Sequence, residues 1–194
     1  MRFMDFSRRE IKDIIISVTA LSIIFAYPEV IFQPLFFFIS LLTVGIAFIG
    51  HELAHRYVAR KRGFFSEYRM WPEGLFFALL LAFISNGSFI FAAPGAVVFS
   101  AYWVFRQPDI DDIGKIGIAG VVFNISLLYT SLMLFAITGF KLFLFMASIN
   151  AWLAIFNLIP FGMLDGAKVM AWSKKAWGLA MVLAVAGFLI AGML

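Results

Sequence analysis

The chain has no cysteine and only two histidines, and only 13% of its 194 residues are charged. The missing cysteine excludes disulfide frameworks and thiolate-ligated metals. The scarcity of charge excludes an ordinary soluble domain, in which roughly a quarter of residues carry charge. What fills the chain instead is apolar: 63% of residues are hydrophobic, and the mean hydropathy is +1.00. Such a composition predicts an all-α polytopic membrane protein with the lipid bilayer as its solvent. Residues 1–194 suit a single membrane-embedded domain with no sizeable soluble module. The formal charge of +4 calls for no nucleic-acid partner, because basic residues beside membrane spans are the ordinary reading. The opening MRFMDFSRREIKDIII reads as a short interfacial lead into a retained first span, since no small-residue cleavage site follows it.

Apolar runs fall at about 14–32, 35–59, 74–91, 116–140, 142–161 and 177–194. They predict about five to six transmembrane helices: a core over about 35–168, with flanking helices over about 14–32 and 177–194. Basic residues test the topology. If all six runs cross, those at 106, 115, 168, 174 and 175 fall outside. If 74–105 instead enters the membrane and returns, every basic residue but Lys141 lies on the inner side. Asn86-Gly87-Ser88 and Ala93-Pro94-Gly95 interrupt that stretch, and Ala96–Phe99 reads as a short strand. Non-helical backbone at membrane depth needs protein or a water-filled cavity around it. The expectation is thus a re-entrant, partly β segment between the second run and the next core helix, a sixth full span being the alternative. The N-terminus and any site at the inner ends then face the cytoplasmic side of the cell membrane. Tyr68, Trp71, Tyr102, Trp103, Trp172 and Trp177 read as interfacial anchors.

Both histidines lie in one apolar run, in HELAH: His51, Glu52 and His55. Residues four apart share a helix face, so both rings can present a nitrogen to one metal. Glu52 can lie beside a metal-bound water. This is the spacing of a zinc-hydrolase helix, with two histidine ligands and a glutamate general base. The alternative is polar decoration of an interface, but ionisable groups inside spans are costly and mark function. A catalytic zinc has three protein ligands and an open position. Without cysteine or a third histidine, the last must be a carboxylate. Glu29, Glu73 and the acidic cluster at 109–112 lie toward the outer side or in polar connections. Asp165 ends an apolar segment in FNLIPFGMLDGAKVM, where Pro160 and Gly162 break the helix and Gly166 allows a tight turn. Along their helices, His51 lies roughly 25 Å from Pro34 and Asp165 on the order of 30 Å from Lys141. The re-entrant topology puts both near one face, whereas six full spans separate them.

With HELAH and NLIPFGMLDG placed, the chain resembles the site-2 proteases, which are intramembrane zinc metalloproteases. That family's HExxH and NxxPxxxLDG patterns match His51-Glu52-xx-His55 and Asn157-xx-Pro160-xxx-Leu164-Asp165-Gly166. A third element, a glycine four residues before an asparagine, matches Gly120 and Asn124 in AGVVFN, with Val121 where the family usually has proline. The likeness covers about 45–168 and corresponds to a minimal membrane core without a PDZ or CBS domain. It implies one Zn2+ per chain on His51, His55 and Asp165, Glu52 as the general base, and a transmembrane protein as substrate. Asn124 and Asn157 are candidates for substrate or oxyanion contacts, with bonding between helices as the alternative. For Asn150, bonding between helices is the expectation. Ala96–Phe99 either adds to an extended substrate strand or simply packs. A non-enzymatic zinc-binding protein or transporter, and an inactive scaffold, are the competing functional readings. Oligomeric state is not encoded in any of these features.

Overall fold

The computed structural model describes residues 6–91, 94–101 and 107–194. In chain order these form α1 (Arg8–Ala26), α2 (Glu29–Phe32), α3 (Leu35–Lys61), β1 (Phe64–Met70), α4 (Pro72–Ile84), β2 (Gly95–Ala101), α5 (Ile110–Thr138), α6 (Lys141–Asn157), α7 (Asp165–Trp172) and α8 (Lys174–Met193). Among the described residues, α3, α5 and α8 are long and apolar enough to cross a membrane, while α4 and α6 are shorter apolar helices. The expected helical fold with a small β element is therefore present. By length and composition, three of the expected five to six helices qualify as spans.

The helix ends follow from local chemistry. Asp109 caps α5 by accepting from the Asp112 N–H, and the Asp112 side chain accepts in return from the Asp109 N–H. This capping box starts the helix at Ile110, so the acidic cluster expected in a polar loop is instead the first turn of α5. Gly139 closes that helix in the left-handed conformation, with φ 67°, where a side chain would be strained. The chain then turns directly into α6.

Packing relies on small residues. On α8 the buried positions are Ala180, Ala184, Gly187 and Ala191, all on one stripe, while Leu179, Val182, Leu189 and Ile190 point outward. A Cβ on Gly187 would lie 2.5 Å from a Leu128 methyl, and one on Gly50 would lie 2.1 Å from the Phe123 ring. When the outside is as apolar as the inside, close backbone approach and dispersion hold helices together. The main core cluster joins α1, α3, α4 and α6 through Leu21, Ile24, Val44, Phe48, Ala78 and Ile149.

The segment between α3 and α5 leaves and returns at one end of α3. Beyond α3, β1 runs back along it, so that Phe64 packs near Ala59 and Tyr68 stacks edge-on against Phe48. The chain passes through α4 and comes back as β2, antiparallel to β1, with Phe64 opposite Ala101 and Met70 opposite Gly95. Arg62, just past α3, bonds Asp112 and Asp111 at the start of α5 at 2.5 and 3.1 Å. The hydrogen bond that Arg62 donates to Asp112 leads the influences that push its guanidinium further above the ordinary value. The expected strand at Ala96–Phe99 is part of β2. Its partner β1 was not anticipated, because FFSEYRM lies in a stretch that reads as a polar connection. Tyr68 is not an interfacial anchor: it is 1% exposed and hydrogen-bonds Ser17 at 2.8 Å. Tyr102 and Trp103 lie outside the described residues.

α1 covers the far edge of β1. Glu10 accepts from the Tyr68 N–H at 2.9 Å, Asp13 from the Met70 N–H at 3.4 Å, and Glu10 is also paired with Arg56 of α3. These contacts place the start of α1 beside the end of α3. The same end gathers Arg8, Arg9, Lys12, Arg60, Lys61, Arg62, Lys115, Lys174 and Lys175, while Lys141 stands at the opposite one. Glu10 and Arg56 are both nearly inaccessible. Removing one partner of a buried pair strands a charge and costs about 3–5 kcal/mol. Arg56→Met should therefore lower the apparent Tm in detergent more than the double variant Glu10→Gln/Arg56→Met, whereas Lys115→Met should barely move it.

Candidate metal centre

The centre forms where α3, α5 and α7 meet. His51 and His55 lie on one face of α3, and α5 runs antiparallel across that face. Asp165 opens α7 immediately after the irregular stretch that follows α6. The His51 and His55 Nε2 atoms are 2.9 Å apart, and Asp165 Oδ2 lies 3.3 and 2.9 Å from them. All three residues are buried. Ligands at zinc-bond length around a tetrahedron stand about 3.3 Å from one another, so the spacing is close to that of a shared ion.

The surrounding hydrogen bonds decide what these atoms carry. His55 Nδ1 lies 2.7 Å from the Ile116 carbonyl, which can only accept, so the His55 proton sits on Nδ1. Asn124 donates through its amide nitrogen to the Ala47 carbonyl and to Asn150 Oδ1, at 3.2 and 2.9 Å. Asn150 donates in turn to the Met146 carbonyl. That chain fixes the Asn124 amide with Oδ1 toward His51 Nδ1, 2.5 Å away. His51 therefore also donates from Nδ1. In the neutral rings both Nε2 atoms are lone pairs, and they face a carboxylate oxygen across a buried gap. Three electron-rich atoms so placed repel one another unless a cation lies between them. Gly120 supplies the space: a Cβ there would fall 2.4 Å from His55 Nε2 and 2.6 Å from His51 Nε2. The residues present thus fit a metal ion, and His51, His55 and Asp165 could hold one.

No protein-family model matches the chain, and no solved structure matches it. It is similar to a Methanocaldococcus jannaschii protein named "Putative zinc metalloprotease MJ0611", at 42% identity over 184 residues and 92% of each chain. This chain belongs to that zinc metalloprotease family. The name gives the metal as zinc, which suits a nitrogen and oxygen donor set with a deprotonated carboxylate.

A metalloprotease also needs a base beside the ion, and the residue next to the first histidine is Glu52. It is half-buried, and its Oε2 is buried without a hydrogen-bond partner. It lines a small cavity together with His51, His55, Asp165, Asn157, Gly95 and Ala96. The sequence-predicted residues therefore converge with one exception. Asn157 faces the cavity, one N–H donated to the Leu153 carbonyl of its own helix at 3.0 Å. Asn124 does not: it is fully buried behind His51, with both amide hydrogens engaged. It cannot also donate to a developing oxyanion, and its position suits orientation of the His51 ring. Asn150 joins α6 to α5 as expected, but as the outer link of that same relay.

Sequence reasoning missed the part taken by Lys168, whose Nζ holds Asp165 Oδ1 at 2.9 Å and leaves Oδ2 toward the histidines. The (i, i+3) spacing from Asp165 on a helix was the available signal. Gly166 has a different role from the one expected. Its φ is not positive; instead a Cβ there would meet the Leu158 carbonyl at 2.1 Å, so it lets α7 abut the end of α6. The turn itself is made at Gly162, with φ 60°. Second-layer partners of histidine ligands typically contribute ten- to a hundredfold in metal affinity. Asn124→Ala should weaken zinc by about that factor in a chelator competition, and Gly120→Val should abolish stoichiometric binding.

Proposed function

We propose that this chain is an intramembrane zinc metalloprotease of the site-2 type, hydrolysing peptide bonds in or near the transmembrane segments of membrane proteins. The observation that carries this reading is the placement of Glu52 and the histidine pair within an apolar 27-residue helix, past its middle toward the basic end. His51 begins the seventeenth residue of α3, about 25 Å from its start, which is within reach of a segment lying in the hydrocarbon core.

His51, His55 and Asp165 would hold one zinc ion. When bound, the ion supplies a water acidified toward neutrality and a Lewis acid for the scissile carbonyl. Glu52 takes the proton of the attacking water at its cavity-facing carboxylate and returns it to the departing amine nitrogen. The second N–H of Asn157, which lines the same cavity, would donate to the carbonyl oxygen as it gathers charge. Lys168 and Asn124 keep the ligands oriented.

A helical peptide bond is shielded and must be extended before attack. The outer edge of β2 supports a place for that. One edge of β2 pairs with β1, whose own far edge is covered by α1. Gly95 and Ala96, which begin β2, line the cavity that contains Glu52. A substrate strand added along β2 passes the base and the ligands together. The clustering of basic residues at the end of the molecule nearer the centre supports a multi-pass protein with the site toward the cytoplasmic side of the cell membrane. It also supports a re-entrant path for the segment from β1 to β2.

The decisive variant is Glu52→Gln. It should retain near-stoichiometric zinc while losing cleavage of a reconstituted transmembrane substrate by at least a thousandfold. Cleavage at the wild-type rate would remove the general base and favour a non-enzymatic zinc protein.

A further inference from the structure

A second cavity of about 260 Å³ adjoins the metal centre. Trp71 and Phe91 form one wall, Phe161, Met163 and Leu164 the other, and Gly95 the floor where the two spaces meet. Gly95, Met163 and Leu164 also line the cavity of Glu52 and the histidines, so the two adjoin. Among the described residues, no charged side chain lines the larger one.

The two walls differ in rigidity. Phe91 is backed edge-on by Phe77 and Phe156, with ring centroids 5.9 and 4.9 Å away. Trp71 lies so close over Gly74 that a Cβ there would come within 2.2 Å of its ring, and its N–H bonds the Pro94 carbonyl at 2.8 Å. The opposite wall is the turn at Gly162, where Phe161 and Met163 are 78% and 62% exposed. Beside Leu164, which packs on the main core, these two side chains are the less enclosed part of the lining.

We propose that this cavity is the side-chain subsite beside the scissile bond, and that it selects a large apolar residue, aromatic or long aliphatic. The inference rests on the proteolytic reading of the centre. An apolar cavity of about 150 Å³ is enough for benzene, so this one accommodates a benzyl, isobutyl or indole group. Its position directly beside the centre, with Gly95, Met163 and Leu164 lining both spaces, favours a substrate side chain as occupant over a lipid tail. A strand along β2 would place one flanking side chain in the cavity and turn the next one away, because successive side chains of an extended chain point to opposite faces.

The test uses the full chain in liposomes with a transmembrane substrate whose cleavage site has been mapped by mass spectrometry. Each residue flanking that bond is replaced in turn by Ala, Leu, Phe, Trp and Asp. At one of the two positions, Phe or Leu should exceed Ala at least tenfold in kcat/KM, with Asp lowest. Met163→Trp, which fills the cavity, should reverse the order toward Ala. Glu52-dependent cleavage that is indifferent to residue at both positions, or a preference that survives both Met163→Trp and Phe161→Trp, would overturn the subsite. A second measurement does not need turnover. Because the chain has no cysteine, Met163→Cys in the Glu52→Gln background offers a single thiol. A short bis-maleimide should link it to a substrate cysteine at the selected position, and less well one residue to either side. Cross-linking in that pattern without Glu52-dependent cleavage in the parent chain would overturn the proteolytic reading alone. Cleavage without the cross-linking pattern would overturn the subsite alone.

Discussion

Two imidazole nitrogens and a carboxylate oxygen, all with lone pairs turned inward, share a buried gap in which each pair of atoms is about a hydrogen-bond length apart. Their mutual repulsion is the constraint around which the rest is arranged. In the neutral rings the Ile116 carbonyl and the Asn124 amide oxygen hold both protons on the far side, so the facing Nε2 atoms carry none. A cation relieves the repulsion, and every neighbour contributes to keeping the three atoms in place for one. Gly120 leaves room, Lys168 holds the second carboxylate oxygen, and the relay from Met146 through Asn150 and Asn124 sets the His51 ring. Such second-layer order sets both affinity and ligand direction at a metal.

That arrangement demands three helices at one level, and small residues make the approach possible. α5 meets α3 at Gly120, α7 meets the end of α6 at Gly166, and α8 closes on α5 at Gly187. An added methyl at any of these places would collide with a ligand, a carbonyl or a core leucine. In an apolar solvent, where burial of large side chains gives little drive, this fit and the polar links are what specify the packing. The buried pair of Glu10 and Arg56 adds a further link, tying α1 to α3 while Glu10 and Asp13 satisfy the open edge of β1.

The β1–β2 hairpin gives the centre its second side. Its strands run back along α3 to the level of the histidines, so that the beginning of β2 borders both the space in front of Glu52 and the larger apolar cavity. A rigid aromatic wall and an exposed turn face each other across that cavity. Glu52, the three residues that could hold an ion and a room for one apolar side chain therefore lie side by side.

The sequence by itself determined the apolar, helical class, the helix that carries the histidines and the residues that meet at the candidate centre. Two histidines four apart can only share a face of a helix, and a chain without cysteine leaves a carboxylate as the remaining ligand type. The strand at Ala96–Phe99 was legible too, because a break at Ala93-Pro94-Gly95 frames a β-branched run. Other features were decided only in three dimensions. FFSEYRM does not announce itself as a strand, since its pairing with β2 and its cover by Glu10 and Asp13 come from distant segments. Tyr68 looks like an anchor until Ser17 and Phe48 enclose it. Asn124 reads equally well as a substrate donor or as an interhelical link; which it is depends on where Asn150 and the Ala47 carbonyl lie. Periodicity and residue chemistry are local and can be read along the chain. The partner of a polar group, and the space left by a glycine, are properties of two segments at once, so only the packed structure fixes them.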